Sequence, residues 1–356
     1  MKNKYVFVAG MLCAILLLSV SFTGLYVKQN AKYAVGSKEQ VTIVTSFYPM
    51  YVAVSNLVDG IDEIRVRNLS EPQTGCLHDF QLTTADMKLL STADVLIVNG
   101  GGIESFIEDV AKEYPNLQII EACENVELIC NEGDTHEHEE VDEHEHEAEG
   151  EHEEEHEEEH EHEHNHAENA HAWMSVKDYR AQVETIAGKL AELDEQHAEK
   201  YFKNAESYDA QLAELQEMQE EIKEMTNDCP VISFHSAFAY IAQDLDFHVA
   251  CLLDLDEADA ISAGDKANVY TTIEEDGVCL VLAEKDSSEA DDIVTLAESM
   301  GQEIESETSA HVVYIDTLNR GNYEKDSYII GMRANLEALQ EALEESSGCV
   351  HEHHYE

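Results

Sequence analysis

Short apolar runs alternate with stretches of helical spacing in two separate parts of the chain. In the first part, strands are predicted at 41–46, 64–69, 95–99 and 117–121, and helices at 51–58, 84–90 and 103–112. In the second part, strands are predicted at 231–234, 247–252, 280–283 and 312–315, and a last helix at 328–343. This alternation predicts parallel sheets that are covered by helices.

Between the two parts the spacing is helical throughout. Apolar residues recur in steps of three and four over 176–190 and again over 201–225, with a break at 194–196. A helix over 197–226 would be about 45 Å long, which suits a strut that joins two lobes. The predicted fold class is therefore α/β, with two (β/α) lobes joined by a long rigid helix. A ligand is expected in the cleft between the lobes, because open parallel sheets bind ligands at the carboxyl ends of their strands.

Two segments differ sharply from this pattern. The N-terminus has Lys2 and Lys4 before an apolar run over 5–27, which predicts export by a signal sequence that is either cleaved or retained as a membrane anchor. The sequence around Cys13 fits lipidation poorly. At 136–166, ten histidines and 17 acidic residues make up 27 of 31 positions, and such a segment has almost nothing to bury.

These changes of character divide the chain into six predicted regions. They are a signal peptide or anchor (1–30), an N-terminal α/β lobe (40–131), a His/Glu-rich loop (132–169), helices that include the strut (170–228), a C-terminal α/β lobe (229–345) and a tail that contains histidines (346–356).

Charge limits the classes of partner. The chain has 77 acidic and 20 basic residues and a formal net charge of −57. Nucleic acids and anionic membrane surfaces would repel such a protein, whereas cations are natural partners. No nucleophile elbow, phosphate-binding loop or HExxH motif is present, so the sequence does not predict an enzyme.

Three histidines and one aspartate stand where a strand or loop ends. His78 and His171 precede predicted helices, and His235 and Asp316 follow predicted strands. Neutral imidazole and carboxylate suit zinc, and four ligands complete a tetrahedron. A lone histidine is more often structural, and His197 is expected to be so. His248 and His311 flank strands and fit either role, with a structural role favoured. Four such residues at element ends in two lobes favour a metal site.

The chain resembles the solute-binding proteins of zinc and manganese ABC importers over roughly 40–345. The resemblance is carried by six short motifs in order: His78-Asp79-Phe80 with Thr84-Ala85-Asp86, Ala93-Asp94-Val95 leading to Asn99-Gly100, His171-Ala172-Trp173, Phe234-His235-Ser236-Ala237-Phe238, Ser262-Ala263-Gly264-Asp265, and Tyr314-Ile315-Asp316. It implies a receptor that binds metal between its lobes through His78, His171, His235 and Asp316, with little lobe motion, and delivers it to a membrane permease. Leu77 and Ala170 stand where the family usually has proline.

The resemblance also bears on the metal and on the His/Glu-rich loop. A histidine at position 235 implies zinc, since relatives with a carboxylate there usually bind manganese, and three imidazoles are softer than an oxygen-rich set. The loop lies where zinc-type relatives carry a histidine-rich insert. Its histidines are predicted to be weak auxiliary sites that collect zinc: His136, His138, His144, His146, His152, His156, His160, His162, His164 and His166.

Two other functions remain open from the sequence. One is a manganese or iron receptor of the same fold, and the other is a surface zinc buffer or adhesin that acts through the His-rich loop. For the receptor we expect a monomer outside the cytoplasm, and possible anchoring to the outer face of the membrane.

The seven cysteines beyond the signal segment leave disulfide pairing undecided, although Cys123 and Cys130 are close enough in sequence to close a small loop.

Overall fold

The computed structural model describes residues 40–70, 80–130, 168–226, 228–255, 260–285 and 295–346. Within these ranges the chain forms ten strands and nine α-helices. The first part contains β1 (Val41–Thr45), α1 (Tyr48–Leu57), β2 (Ile64–Asn68), α2 (Thr84–Leu90), β3 (Val95–Val98), α3 (Ile107–Glu113), β4 (Gln118–Glu121) and β5 (Ile129–Cys130).

The second part begins with β6 (Glu168–Asn169), a 3₁₀ turn (Ala172–Met174), α4 (Val176–Leu193) and α5 (Ala198–Thr226). It continues with β7 (Pro230–Ser233), α6 (Phe238–Asp244), β8 (His248–Leu252), α7 (Ala263–Asp276), β9 (Leu280–Glu284), α8 (Leu296–Glu307), β10 (His311–Ile315) and α9 (Ser327–Ser346). No helix among the described residues has both the length and the apolar character needed to span a bilayer.

Two four-stranded parallel sheets confirm the predicted fold class. The strand order is β2-β1-β3-β4 in the first sheet and β10-β9-β7-β8 in the second. In each sheet the first strand in sequence, β1 or β7, lies between the second and the third. The carboxyl end of that strand is a topological switch point, where open α/β sheets form their ligand crevices. A two-residue antiparallel ladder pairs β5 with β6.

Local sequence explains where the helices start. Thr83 and Asp86 form a capping box at the start of α2, and Ser262 and Asp265 form another at the start of α7. The side chain of Ser175 accepts a hydrogen bond from Asp178 N and caps α4. Each of these contacts satisfies a backbone N–H at a helix end, which has no partner within its helix.

One predicted helix starts later than expected. The helical spacing over 103–112 corresponds to α3, which begins only at Ile107. The preceding residues form a turn in which Gly100, Gly101 and Gly102 all have positive φ, and Glu104 is folded into the interior. Glu104 fits the helical spacing of the sequence, but in the structure it is part of the turn that precedes α3.

A single large core joins the two sheets. It contains residues of the first sheet such as Ile43, residues of the second such as Val231 and Leu282, and the inner faces of α4, α5 and α9. Separate clusters cover the outer face of each sheet. Helix α5 has 29 residues and is about 44 Å long, and it packs against α1 and α4 as well as against α9. A long helix is therefore confirmed at the position predicted for the strut.

Candidate metal centre

His171 is held in a buried loop beside the first sheet. It lies between β6 and the 3₁₀ turn and is only 2 % exposed. Asn99, at the carboxyl end of β3, donates from Nδ2 to the carbonyl oxygen of Ala170 at 2.8 Å. Gln182 on α4 in turn donates to Asn99 Oδ1 at 2.8 Å. The loop that carries His171 is thus fastened to the edge of the sheet where ligands are expected.

Hydrogen bonds fix which nitrogen of His171 carries the lone pair. Asn169 Oδ1 accepts from the backbone N–H of His171 at 3.1 Å and lies 2.8 Å from His171 Nδ1. An oxygen that accepts from a backbone N–H faces Nδ1 as an acceptor too, so Nδ1 must carry the proton. The lone pair is then on Nε2, which is the arrangement that a metal-binding imidazole needs.

His235 lies at the switch point of the second sheet. It follows β7, is 2 % exposed, and its Nδ1 accepts from the backbone N–H of Ala237 at 3.0 Å. This hydrogen bond places the proton of the neutral ring on Nε2. A metal ion on Nδ1 would take the lone pair that accepts from Ala237. A metal ion on Nε2 would move the ring proton to Nδ1, so this hydrogen bond is lost in either case. His235 must therefore give up one hydrogen bond on binding, whereas His171 has the required tautomer already.

The structure brings the two histidines together. Their ring centroids are 5.3 Å apart and the rings are nearly perpendicular, at 88°. Two imidazoles on one tetrahedral zinc ion, at the usual zinc–nitrogen distance, would have centroids about 5 Å apart. The spacing of His171 and His235 therefore matches that of two ligands of one ion.

The structure does not bring Asp316 into a group with this pair, and Asp316 has structural bonds of its own. It follows β10, its Oδ1 accepts from the backbone N–H of Leu318 at 2.8 Å, and its own N–H donates to Asn335. The next residue, Thr317, accepts from Trp173 Nε1 at 2.8 Å, and the Trp173 ring lies 5.1 Å from the His171 ring. Thr317 therefore contacts Trp173, which in turn contacts His171.

Two further acids at the carboxyl edge of the second sheet were not singled out from the sequence. Asp254 follows β8 and its Oδ2 accepts from Ser236 N at 3.1 Å. Glu284 ends β9 and its Oε1 accepts from Thr317 Oγ1 at 2.9 Å. In a chain with 77 acidic residues, paired carboxylates carry no signal in the sequence, and only the sheet order brings these two to the same edge as His235 and Asp316.

The remaining predicted site residues lie outside the described part of the chain. These are His78, the ten histidines of the 136–166 segment, the tail and the N-terminal 1–30 segment. Among the residues that the structure does describe, no group of three or more His, Cys, Asp or Glu side chains is arranged to hold a metal ion. The described part of the site is therefore the pair His171 and His235 with its supports.

A buried carboxylate supports the turn beside the His171 loop. Glu104 Oε1 accepts from Ser46 Oγ and from Asn99 N, each at 2.7 Å, and Oε2 accepts from Gly100 N at 3.0 Å. Burial raises the pKa of Glu104 to about 7, although these hydrogen bonds favour the charged form. This carboxyl group thus holds the backbone of Asn99, whose side chain donates to Ala170.

Other histidines and cysteines have structural surroundings. His197 Nδ1 lies 2.7 Å from Asp194 Oδ2 at the turn between α4 and α5, which supports its expected structural role. Cys123 and Cys130 do not form the small loop that their spacing allows, since both thiols are free. Burial raises the pKa of Cys123 to about 12, so this thiol stays protonated.

Comparison with known proteins places the chain among metal receptors. The family model described as zinc-uptake complex component A, periplasmic, matches residues 43–342. The high-affinity zinc uptake system protein ZnuA of Bacillus subtilis is 26% identical over 308 residues, which cover 86% of this chain and 88% of that protein. The manganese-binding lipoprotein MntA of Halalkalibacterium halodurans is 22% identical over 272 residues, which cover 75% and 77%.

The fold has close counterparts among solved structures. The solute-binding protein FpvC of Pseudomonas aeruginosa, solved with Ni²⁺, superimposes with a TM-score of 0.65 at 22% identity. The match covers 86% of this chain and 98% of that one. At this identity the likeness supports the fold alone.

Proposed function

The chain belongs to the family of zinc-uptake complex component A proteins, the metal-binding receptors of ABC importers, and from this premise we propose that its ion is zinc. The protein binds the ion outside the cytoplasm, after export by its N-terminal segment, and delivers it to a membrane permease. It acts as a monomeric receptor and not as an enzyme.

The observation that carries this proposal is the pairing of His171 with His235. One histidine is fastened to the first sheet and the other follows the switch-point strand of the second, yet their ring centroids are 5.3 Å apart in a buried setting. Two buried imidazoles, one from each half of the chain, at the spacing of two ligands of one ion support a metal site.

The choice of zinc follows from the donor atoms. We propose His78, His171, His235 and Asp316 as the four ligands, which gives three nitrogens and one oxygen. Such a set is softer than the oxygen-rich sites that manganese prefers, and nitrogen-rich sites bind zinc more tightly than manganese. A relative described as a high-affinity zinc uptake protein supports the same choice.

The 136–166 segment would act as a collector for this site. Its ten histidines offer many weak zinc sites on a tether attached close to His171. Tethered weak sites raise the local concentration of an ion without adding a contact at the strong site. The collector should therefore speed loading at low zinc and should not set the affinity of the cleft.

The deciding experiment is a competition titration of zinc against a chelator, with the full chain and with a variant that lacks 136–166. One tight site should survive the deletion and disappear on His235→Ala. Loss of all tight binding on deletion would instead identify a buffer or adhesin that acts through the segment.

Parallel titrations with manganese and iron test the other receptor function, which a manganese-binding relative favours. The zinc assignment predicts that manganese and iron bind the deletion variant much more weakly than zinc. Tighter binding of manganese or iron than of zinc would overturn the assignment and leave the receptor fold intact.

A further inference from the structure

Asn169 is buried between the two histidines, and nothing in its sequence context marks it as functional. It is 2 % exposed and ends β6, three residues after the 136–166 segment. Its side-chain oxygen accepts from both N–H groups of His171 that face it, at 3.1 and 2.8 Å. Its side-chain nitrogen donates to the carbonyl oxygen of Ser236 at 2.8 Å.

The orientation of this amide is not ambiguous. A backbone N–H can only donate and a backbone carbonyl can only accept, so Oδ1 must face His171 and Nδ2 must face Ser236. The same amide therefore sets the tautomer of His171 and ties it to the residue after His235. A single side chain spans the two ligands.

The main chain of Asn169 is fixed as well. It pairs with Ile129 in the β5–β6 ladder, and its carbonyl oxygen accepts from Tyr240 Oη on α6 at 2.5 Å. Because the backbone is held on both sides, the amide has little freedom to follow either histidine. It can act as a rigid spacer between them.

We propose that Asn169 is a positioning residue for the metal: it holds His171 with Nε2 ready to bind and sets the distance between the His171 and His235 loops. This inference depends on the proposed function, since it concerns binding at these two histidines. Partners that orient a ligand imidazole typically contribute 10–100-fold to metal affinity.

Two substitutions separate positioning from simple packing. Asn169→Ala removes both the acceptor for His171 and the donor to Ser236. Asn169→Asp keeps an acceptor for His171 but turns a carboxylate oxygen towards the Ser236 carbonyl, which is worse for folding than a missing bond. Positioning predicts that zinc affinity falls about 10–100-fold in Asn169→Ala and much less in Asn169→Asp. Thermal stability should fall in the opposite order, with Asn169→Asp the less stable.

A matched control is available on α5. Asn204 also donates from Nδ2 to backbone carbonyls, those of Leu57 and Asp59, and contacts neither histidine in any of its hydrogen bonds. Asn204→Ala and Asn204→Asp should lower stability in the same order as the Asn169 pair and leave zinc affinity unchanged. An increase in affinity in Asn204→Asp would mean that added negative charge alone explains the aspartate result.

The measurement is a competition titration of zinc in the full chain. Binding is monitored through the emission of Trp173, which lies beside His171. Parallel losses of affinity and stability at position 169 would overturn the inference. A wild-type chain without a tight zinc site would instead overturn the proposed function, so the two failures are distinguishable.

The tautomer of His171 can be measured without metal, and this keeps the inference testable if a variant fails to fold. Long-range ¹H–¹⁵N spectra of the wild-type chain should show a proton on Nδ1 of His171, assigned as the signal that His171→Ala removes. A proton on Nε2 would contradict the proposed role of Asn169.

Discussion

Trp173 makes the proposed site observable at the level of one residue. It is the only tryptophan in the chain, it is buried, and its ring lies 5.1 Å from that of His171. An ion at His171 changes the electrostatic field on the indole, so zinc should change the emission of the full chain even while other sites fill. The change should saturate with one ion per chain. His171→Ala should abolish it, and a persistent response in that variant would place the reporting ion elsewhere.

Glu104 predicts a pH dependence of stability. Its pKa of about 7 in the folded chain lies above its usual value of 4.5. Between these values the folded chain binds more protons than the unfolded chain, so the free energy of unfolding falls as pH rises from 4.5 to 7 and then levels off. The loss from this group is on the order of 3 kcal/mol. Urea titrations across this range should show a smaller fall in Glu104→Gln than in the wild type.

Other carboxylates also titrate in this window, so the quantity that matters is the difference between Glu104→Gln and the wild type. The glutamine retains an oxygen for Ser46 and Asn99 but turns an amide nitrogen towards Gly100 N–H. The variant is therefore expected to be less stable than the wild type at pH 5 and to approach it at pH 8. Equal slopes would show that Glu104 titrates as an ordinary exposed acid.

The residues proposed to position the ligands could not have been found from the sequence. His171 and His235 follow a loop and a strand that the hydrophobic pattern predicts, so their place at element ends is visible. Asn169 acts on Ser236, 67 residues away, and no local spacing encodes that contact. Glu104 has the sequence signature of an exposed helical acid, and only the turn of three glycines carries it inward.

At the scale of elements, Gly321 in the connection from β10 to α9 lies against α1. A Cβ at this position would overlap the phenol ring of Tyr48, whose Oη accepts from Tyr323 N at 3.1 Å. Gly321→Ala should therefore lower the free energy of unfolding by about 1–3 kcal/mol through overpacking. Chemical denaturation measures this directly.

Gly188 provides the control for that substitution. It lies within α4, and a Cβ there would meet nothing within 4 Å. Gly188→Ala should raise stability by about 0.5–1 kcal/mol, since alanine is the better helix former. If both substitutions behave alike, the 321 connection is able to move away from Tyr48 and does not fix the position of α1.

The strands and helices themselves follow closely from the sequence. Helix α2 and the long helix α5 match their predicted ranges to within a residue, because a capping box marks the start of α2 and apolar steps of three and four mark α5. The order of strands within each sheet does not follow from periodicity, because it depends on which crossover packs onto which face. That order decides which acids share an edge with His235.

At the scale of the molecule, the shared core predicts a single unfolding transition. The residues that link the sheets, including those of α5 and Trp173 itself, belong to one continuous cluster, so neither half has a complete core alone. Loss of one sheet would expose the inner faces of α4, α5 and α9 to water. We therefore expect Trp173 emission and far-ultraviolet circular dichroism to report the same midpoint in denaturant.

Zinc provides a second test of whether the two sheets unfold together. An ion that binds only the folded chain at 100 times its dissociation constant adds about 2.7 kcal/mol to the free energy of unfolding. Because both histidines are attached to the shared core, this gain should move both signals together and should vanish in His235→Ala. A zinc-dependent shift in Trp173 emission alone would mean that the ion stabilises only the His171 loop, and that the two sheets unfold independently despite their common core.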